Sequence, residues 1–216
     1  MPAKTPGKTQ APHFDYENAR TGHLVCGIDE VGRGPWAGPV VASAVFIPDA
    51  IRTAKWVSEL RDSKLLKPAK RDELYGLIMQ HCAVGIGEAS VEEIDTVNIL
   101  EANWLAMGRA MQALPQGNAL PYFALVDGNL IPKNLPCKAQ AIVKGDQHSC
   151  SIAAASIIAK VTRDRIMAEL CAAYPAYGFS QHVGYGTAQH QKALAEHGPC
   201  PVHRKSFKPI AALLAA

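Results

Sequence analysis

The pattern of apolar and polar positions in the first half of the chain predicts short strands and one helix. Residues 24–28 and 39–47 form apolar runs with the length and content of buried strands, and residues 83–88 form a shorter run. Between the second and third runs, Pro68 suits the first turn of a helix, and apolar residues follow it on one helical face. We therefore predict two strands, a helix and a third strand, in that order.

The second half of the chain carries two longer helical patterns. Residues 90–93 fit a capping box, and the residues after them carry an apolar stripe at steps of three and four. This stripe predicts a long amphipathic helix that ends at Pro115. A second long helix is predicted over residues 151–174, where small side chains allow close packing on a sheet. Two further strands are predicted at residues 122–127 and 141–144.

Carboxylates lie at the ends of three of the predicted strands. Asp29 and Glu30 end the first, Asp127 ends the fourth, and Asp146 follows the fifth. Neighbouring strands that end together present their acids at one edge of a sheet. Asp146 taken alone would be a turn residue, but the recurrence favours a clustered site. Because side chains alternate between the faces of a strand, Asp29 and Glu30 are expected to reach one metal ion only if the strand ends or bends between them.

A glycine-rich turn, Gly32-Arg33-Gly34, follows the first two acids. Glycine tolerates positive φ and lets backbone groups approach a ligand closely, so this turn suits contact between the main chain and a ligand. The spacing fits neither a P-loop nor the dinucleotide fingerprint. The alternative interpretation is a solvated turn with a local ion pair.

Four clustered carboxylates predict a divalent metal site. Crowded carboxylates raise one another's pKa, so the cluster is costly unless cations neutralise it. Oxygen-only ligands favour Mg²⁺ or Mn²⁺ over zinc. Two such ions about 4 Å apart can hold the attacking water and the leaving oxygen of a phosphodiester displacement, with no covalent nucleophile.

Length and composition predict one domain, or one domain with a small appendage. The chain has 216 residues, of which 48% are hydrophobic, enough for a full core. Residues 1–22 carry prolines and lysines with few apolar residues and are predicted to be a disordered basic tail, which leaves residues 23–216 as the domain. No apolar run approaches the ~20 residues of a membrane span and no secretion signal is present, so a cytoplasmic protein is expected.

Charge and cysteine content add little to this prediction. The formal net charge is +3, too small by itself to indicate a nucleic-acid partner, but four acids gathered in a metal site would leave the remaining surface with a basic bias. The six cysteines include no CxxC pair and lie mostly in apolar runs. We expect reduced thiols in or near the core.

Six motifs, in order, resemble bacterial ribonuclease HII, the type 2 ribonuclease H. They are GIDEVGRGP at 27–35, DSK at 62–64, VDG at 126–128, VKGD at 143–146, AASIIAKVTRD at 154–164 and GYGT at 184–187. The resemblance runs from about residue 24 to residue 209. It implies an α/β protein with the RNase H-like fold, a mixed five-stranded sheet flanked by helices, and a helical C-terminal part.

The resemblance also implies roles for single residues. The family's four metal-binding and catalytic carboxylates correspond to Asp29, Glu30, Asp127 and Asp146. The family's Gly-Arg-Gly motif corresponds to Gly32, Arg33 and Gly34, whose backbone is implied to contact the ribose 2′-hydroxyl, the group that distinguishes RNA from DNA.

Three further segments match less closely or carry a different role. Tyr185 is implied to pack on the deoxyribose on the 3′ side. Lys64 is implied to contact phosphate, although Leu65 stands where the family often has a second lysine. The segment 203–207, HRKSF, resembles a basic segment of the family, and either binds backbone phosphate or forms a solvated face.

Other residues near these motifs receive more modest expectations. Arg163 and Asp164, about three turns along the predicted helix, are assigned a structural role. His148 is the one histidine worth testing near the site, with a solvated loop as the alternative. Residues 209–216 contain no aromatic pair of the kind that docks on sliding clamps, so no such docking is expected from them.

The activity implied by the resemblance is an endonuclease that cuts the RNA strand of RNA/DNA hybrids and single ribonucleotides embedded in duplex DNA. It would cut on the 5′ side of the ribonucleotide with two Mg²⁺ or Mn²⁺ ions and leave 3′-hydroxyl and 5′-phosphate ends. One alternative is a protein that binds hybrids without cutting them, and another is a nuclease of the same fold that acts on DNA junctions. Nothing in the sequence demands more than a monomer.

Overall fold

A five-stranded mixed sheet organises the protein in a computed structural model that describes residues 11–115 and 122–215. The strands are β1 Leu24–Val31, β2 Val40–Phe46, β3 Ala83–Ala89, β4 Tyr122–Asp127 and β5 Lys138–Ile142. Their order in the sheet is β3-β2-β1-β4-β5. β2 is antiparallel to β1 and β3, whereas β1, β4 and β5 run parallel. The predicted mixed sheet is confirmed.

Eight helices surround the sheet in the described residues. They are α1 Asp15–Asn18, α2 Pro68–His81, α3 Val91–Val97, α4 Ile99–Gln112, α5 Cys150–Ala173, α6 Phe179–His182, α7 Ala188–His197 and α8 Lys208–Leu214. The predicted helix starting at Pro68 and the long helix near 151–174 are both confirmed. The capping box at Ser90 is also present, but it opens the separate short helix α3. Asn98, at φ 74°, divides α3 from α4 and caps α4 with its side chain.

The helices α4 and α5 cover opposite faces of the sheet. α4 packs on β1, β2 and β3, and α5 packs on β1 and β2. α5 approaches closely because Gly27 has no side chain: a Cβ there would lie 2.1 Å from the backbone nitrogen of Ile152. Gly85 has the same function opposite α4, where a Cβ would lie 2.0 Å from the carbonyl oxygen of Ala110.

The C-terminal part forms a smaller helical layer around the far end of α5. Its core contains Ala37, Met167, Phe179, Leu194 and Ile210, which join the loop after β1 to α5, α6, α7 and α8. This layer confirms the helical C-terminal part. It also places a loop between α6 and α7 beside the loop that follows β1.

The N-terminal boundary at residue 22 needs correction. Glu17, in α1, is buried, and its Oε1 accepts hydrogen bonds from the Ser149 hydroxyl at 2.7 Å and the Ser151 N–H at 3.0 Å. His13 also exchanges backbone hydrogen bonds with the segment that opens α5. These contacts make residues 13–18 part of the domain. Residues 1–10 of the predicted tail lie outside the described residues.

Two expectations about the whole chain can be compared with this fold. All six cysteines are free and two of them, Cys26 and Cys150, are buried, as expected for reduced core thiols. In the ranges that the structure describes, no helix is both long enough and apolar enough to cross a membrane.

Candidate active site

Three chain segments bring the predicted acids to one end of the sheet. β1 and β4 are parallel neighbours with Ile28 opposite Val126, so Asp29 and Asp127 each follow that pair by one residue. β5 ends at Ile142, opposite Asp127, and a short 3₁₀ turn, Gly145–Gln147, then carries Asp146 back beside the sheet. The structure thus gathers at one edge the acids that the strand pattern predicts there.

The side chains form one electrostatic cluster. Burial raises the pKa of Asp29 well above its usual value, and the charges of Glu30, Asp127 and Asp146 raise it further. Burial likewise raises the pKa of Asp146 to about 6, with the nearby carboxylates of Asp62 and Asp127 adding to the effect. Each carboxylate therefore lies in a site where its negative charge is disfavoured.

β1 does not end between Asp29 and Glu30, so the first of the two conditions for both acids to reach one metal ion is not met. β1 continues to Val31, with Asp29 opposite Ser43 and Glu30 opposite Ala42 on β2. The negative charge of Asp127 nevertheless raises the pKa of both acids. β4 stops at Asp127 while β1 runs on, so both acids border the open end of the shorter strand.

The donor chemistry of these residues fits hard divalent cations. All four supply carboxylate oxygens, the ligands that Mg²⁺ and Mn²⁺ prefer, and burial raises the pKa of each despite the nearby positive charges of Arg33 and Lys64. As placed, no three acidic, imidazole or thiol groups within residues 11–115 and 122–215 are close enough to share an ion. Carboxylates of this cluster accept hydrogen bonds from nearby donors. Asp127 Oδ1 accepts from the Gly145 N–H at 2.6 Å, and Glu30 Oε1 accepts from Arg33 Nη1 at 3.2 Å.

The glycine turn and the predicted tyrosine lie side by side. Gly32 has φ 96°, a conformation that favours glycine, and turns the chain directly after β1. A Cβ built at Gly34 would lie 3.4 Å from Cε1 of Tyr185, whose side chain is 48% exposed. Arg33 pairs with Glu30, as the local ion-pair interpretation expects, so the turn is in contact with both the acids and the tyrosine.

Lys64, in the 3₁₀ turn Ser63–Leu65, lies near Asp127 and Asp146. Its positive charge lowers the pKa of both Asp127 and Asp146, although burial keeps both raised overall. Asp62 caps the turn by accepting from the Lys64 N–H at 3.0 Å, and its carboxylate raises the pKa of Asp146. Asp62 is thus a fifth carboxylate at the site, which the strand pattern could not indicate because it lies in a loop.

Asn103 is a second neighbour that sequence reasoning missed. It lies on α4 with 3% of its surface exposed, and its Oδ1 has no hydrogen-bond partner in the described structure. A small cavity of about 60 Å³ joins it to Glu30, Arg33 and Asp127. In the sequence, Asn103 is an isolated polar residue within an apolar helix, which carries no signal of a site.

In the basic segment 203–207, Lys205 is exposed and its part in phosphate binding or a solvated face stays a prediction, whereas the structure corrects the prediction for Arg204. Arg204 is completely buried and donates to main-chain carbonyls, so it neither binds backbone phosphate nor belongs to a solvated face. The structural role predicted for Arg163 and Asp164 is confirmed: Arg163 donates to main-chain carbonyls, and Asp164 pairs with Lys160 at 2.6 Å. His148 lies just after the Asp146 turn, where its carbonyl accepts from the His13 N–H, and its part in function stays a prediction.

A family model described as Ribonuclease HII matches residues 26–210. The chain belongs to the ribonuclease HII family. The ribonuclease HII of Parvibaculum lavamentivorans is 48% identical over 99% of this chain and 79% of its own length. That of Magnetococcus marinus is 55% identical over 88% of this chain and 87% of its own length.

Solved structures agree with this family assignment. The ribonuclease HII of Archaeoglobus fulgidus, determined in complex with PCNA, is 27% identical with a TM-score of 0.70 and covers 86% of this chain and 95% of its own. The ribonuclease H2 of Pyrococcus horikoshii is 27% identical with a TM-score of 0.71, covering 88% and 96%. Bst-RNase HIII in complex with Mn²⁺, at 19% identity and a TM-score of 0.70 over 90% and 70%, shares the fold. The predicted fold class is confirmed.

Proposed function

We propose that this ribonuclease HII family member cuts the RNA strand of RNA/DNA hybrids and single ribonucleotides embedded in duplex DNA, on the 5′ side of the ribonucleotide. Family membership establishes a metal-dependent endoribonuclease that acts on such substrates. The observation that supports the finer proposal is that Gly34, in the turn that follows Asp29 and Glu30, lies beside Tyr185, where a Cβ on Gly34 would be 3.4 Å from the tyrosine ring. A backbone turn and an aromatic ring at that position are suited to examine two successive sugars.

The four clustered carboxylates would hold the divalent ions. We assign this role to Asp29, Glu30, Asp127 and Asp146, because they are the acids that converge at the end of the sheet. When bound, Mg²⁺ or Mn²⁺ supplies activation of the attacking water and charge stabilisation for the leaving 3′ oxygen.

The remaining site residues would bind and orient the substrate. The backbone of Gly32, Arg33 and Gly34 would contact the 2′-hydroxyl, and Tyr185, with about half its surface exposed, would pack on the next sugar. Lys64 would contact a phosphate close to the acids, since its positive charge lies near enough to lower the pKa of Asp127. The products would carry 3′-hydroxyl and 5′-phosphate ends.

The test uses three duplexes of one sequence: all-DNA, DNA with a single ribonucleotide, and a continuous RNA/DNA hybrid. With Mg²⁺ or Mn²⁺ we expect cleavage of the second and third only, at the 5′ side of ribose. Ribose-dependent binding without cleavage would support the hybrid-binding alternative. Cleavage of the all-DNA duplex, without a need for ribose, would support the alternative of a nuclease that acts on DNA junctions.

The acid assignment has its own variant. Asp29→Asn removes a charged oxygen ligand, so we expect cleavage to fall about 100-fold or more while substrate binding is kept. Asp49→Asn is the control, because the Asp49 side chain is exposed and pairs with Arg52 outside the acidic cluster. Near-normal turnover by Asp29→Asn would remove Asp29 from the metal site.

Two further expectations accompany this proposal. We expect a monomer, and we expect no sliding-clamp docking by residues 209–216, of which residue 216 lies outside the described residues. The PCNA complex of the Archaeoglobus fulgidus protein concerns that protein.

A further inference from the structure

Two arginines lie beneath the glycine turn without access to solvent. Arg163, on α5, is 1% exposed and Arg204, between α7 and α8, is 0% exposed. Neither forms an ion pair with a carboxylate among the described residues; both donate to main-chain carbonyl oxygens. Burial lowers the pKa of Arg163 to about 10 and that of Arg204 to about 9, and for Arg204 the charge of Arg163 adds to the effect.

Arg204 fixes the orientation of the peptides in the glycine turn. Its Nη2 donates to the Gly32 carbonyl at 2.6 Å, its Nη1 to the Arg33 carbonyl at 3.0 Å, and its Nε to the Gly38 carbonyl at 3.0 Å. In a trans peptide the C=O and the next N–H point in opposite directions. The N–H groups of Arg33 and Gly34 are therefore turned away from the guanidinium, and they donate to no other group in the described structure.

Arg163 joins this turn to the segment that carries the tyrosine. Its Nε donates to the Pro39 carbonyl at 2.9 Å, its Nη2 to the Ala37 carbonyl at 3.0 Å, and its Nη1 to the Val183 carbonyl at 3.0 Å. Val183 lies two residues before Tyr185 and has φ 44°, which is rare for a β-branched residue. One guanidinium thus holds both loops, and the strained backbone of Val183 is kept by this contact.

Stability alone is a poor explanation for the pair. Buried charges are costly, and apolar packing of the same volume is often at least as stabilising. A planar group with five donors in a fixed fork, in contrast, can orient several carbonyls at once. The two guanidiniums together engage six carbonyls, all in the glycine turn, the loop after it and the segment before Tyr185.

We propose that Arg163 and Arg204 are positioning residues that set the direction of the ribose-contacting peptides and their distance from Tyr185, and so determine the preference for a ribonucleotide followed by DNA. This inference rests on the proposed function. It assigns to the segment 203–207 a role in recognition without any contact with the nucleic acid.

The test is the ratio of kcat/KM for a single embedded ribonucleotide to kcat/KM for a continuous hybrid, in Arg204→Lys and Arg163→Lys. Lysine keeps the charge but cannot span the same carbonyls. We expect the rate constant on the embedded ribonucleotide to fall about 10- to 100-fold, since small displacements of a positioning contact have effects of this size. On the continuous hybrid we expect kcat/KM to fall about threefold at most. Every nucleotide of its RNA strand is a ribonucleotide, so the enzyme does not have to align one RNA-to-DNA junction with the acids.

Arg52→Lys is the matched control, because Arg52 is mostly buried and its partners Asn18 and Asp49 lie outside the site. It should lower the thermal stability without changing the ratio. An equal loss on both substrates in folded Arg204→Lys and Arg163→Lys would overturn the proposal, as would failure of both variants to fold. Wild-type protein that does not cut at an embedded ribonucleotide would instead refute the proposed function itself, and this inference with it.

Discussion

A pair of buried histidines predicts that the C-terminal layer loses stability in acid. His190 Nε2 and His203 Nε2 lie 2.9 Å apart. His190 Nδ1 lies 3.0 Å from the Tyr185 carbonyl, which only accepts, so Nδ1 carries the proton and Nε2 accepts from His203. His203 Nδ1 is then free to accept from the Cys200 N–H at 2.9 Å. Both rings are neutral in this arrangement, and protonation of either one breaks a hydrogen bond.

The size and sign of the effect follow from the pKa values. Burial lowers the pKa of His203 from 6.5 to about 4, and it also lowers the pKa of His190. Below pH 6.5 the unfolded chain binds protons that the folded protein does not. The contribution of the neutral His203 to the free energy of unfolding is therefore complete above pH 6.5 and is lost as the pH falls towards 4. At about 1.4 kcal/mol per pH unit, His203 alone should reduce the free energy of unfolding by about 2 kcal/mol at about pH 5.

The buried acids act in the opposite direction and must be separated. The raised pKa of Asp146, about 6, means that the folded protein binds this proton first, so its contribution to stability rises as the pH falls. We would measure urea unfolding from about pH 7.5 to about pH 5 for wild type and His203→Asn, and compare the slopes. The acids contribute equally to both proteins, so their contribution cancels when the slope of one protein is subtracted from that of the other. Asparagine can keep an acceptor for the Cys200 N–H but does not titrate, so the free energy of unfolding of the variant should depend less on pH. Equal slopes would refute the assignment of acid sensitivity to His203.

Two further predictions concern stability. Gly27→Ala should reduce the free energy of unfolding by about 3 kcal/mol or more, because the new Cβ would lie 2.1 Å from the backbone of Ile152. Gly76→Ala, in α2 with open space around it, should instead raise the free energy of unfolding by about 1 kcal/mol. A similar response of both variants in urea unfolding would contradict this reasoning. Glu17→Ala should reduce the free energy of unfolding by about 2 kcal/mol, because it leaves the buried Ser149 hydroxyl without its acceptor. Glu17→Gln, which keeps an acceptor oxygen, should reduce it less. An unchanged melting temperature in Glu17→Ala would mean that residues 13–18 do not stabilise the domain.

The agreement between sequence and structure follows what a local pattern can encode. The alternation of apolar residues predicts β1, β2 and β3 to within a few residues, and the proline and capping signals predict the starts of α2 and α3. The break at Asn98 is missed because an asparagine at positive φ looks the same in the sequence as one within a helix. The N-terminal helix is missed because its buried group is a single carboxylate, Glu17, whose donors lie more than 130 residues away.

The sequence by itself determined which acids belong together: Asp29, Asp127 and Asp146 each follow an apolar strand, and strands that run side by side bring their ends to one edge. Only the tertiary structure decided what surrounds them. Arg204 has the charge and motif of a phosphate-binding residue, yet it is buried under the glycine turn, because the C-terminal helices fold back over the loop after β1. Burial and hydrogen bonding of a charged side chain depend on distant segments, so neither composition nor spacing along the chain can specify them.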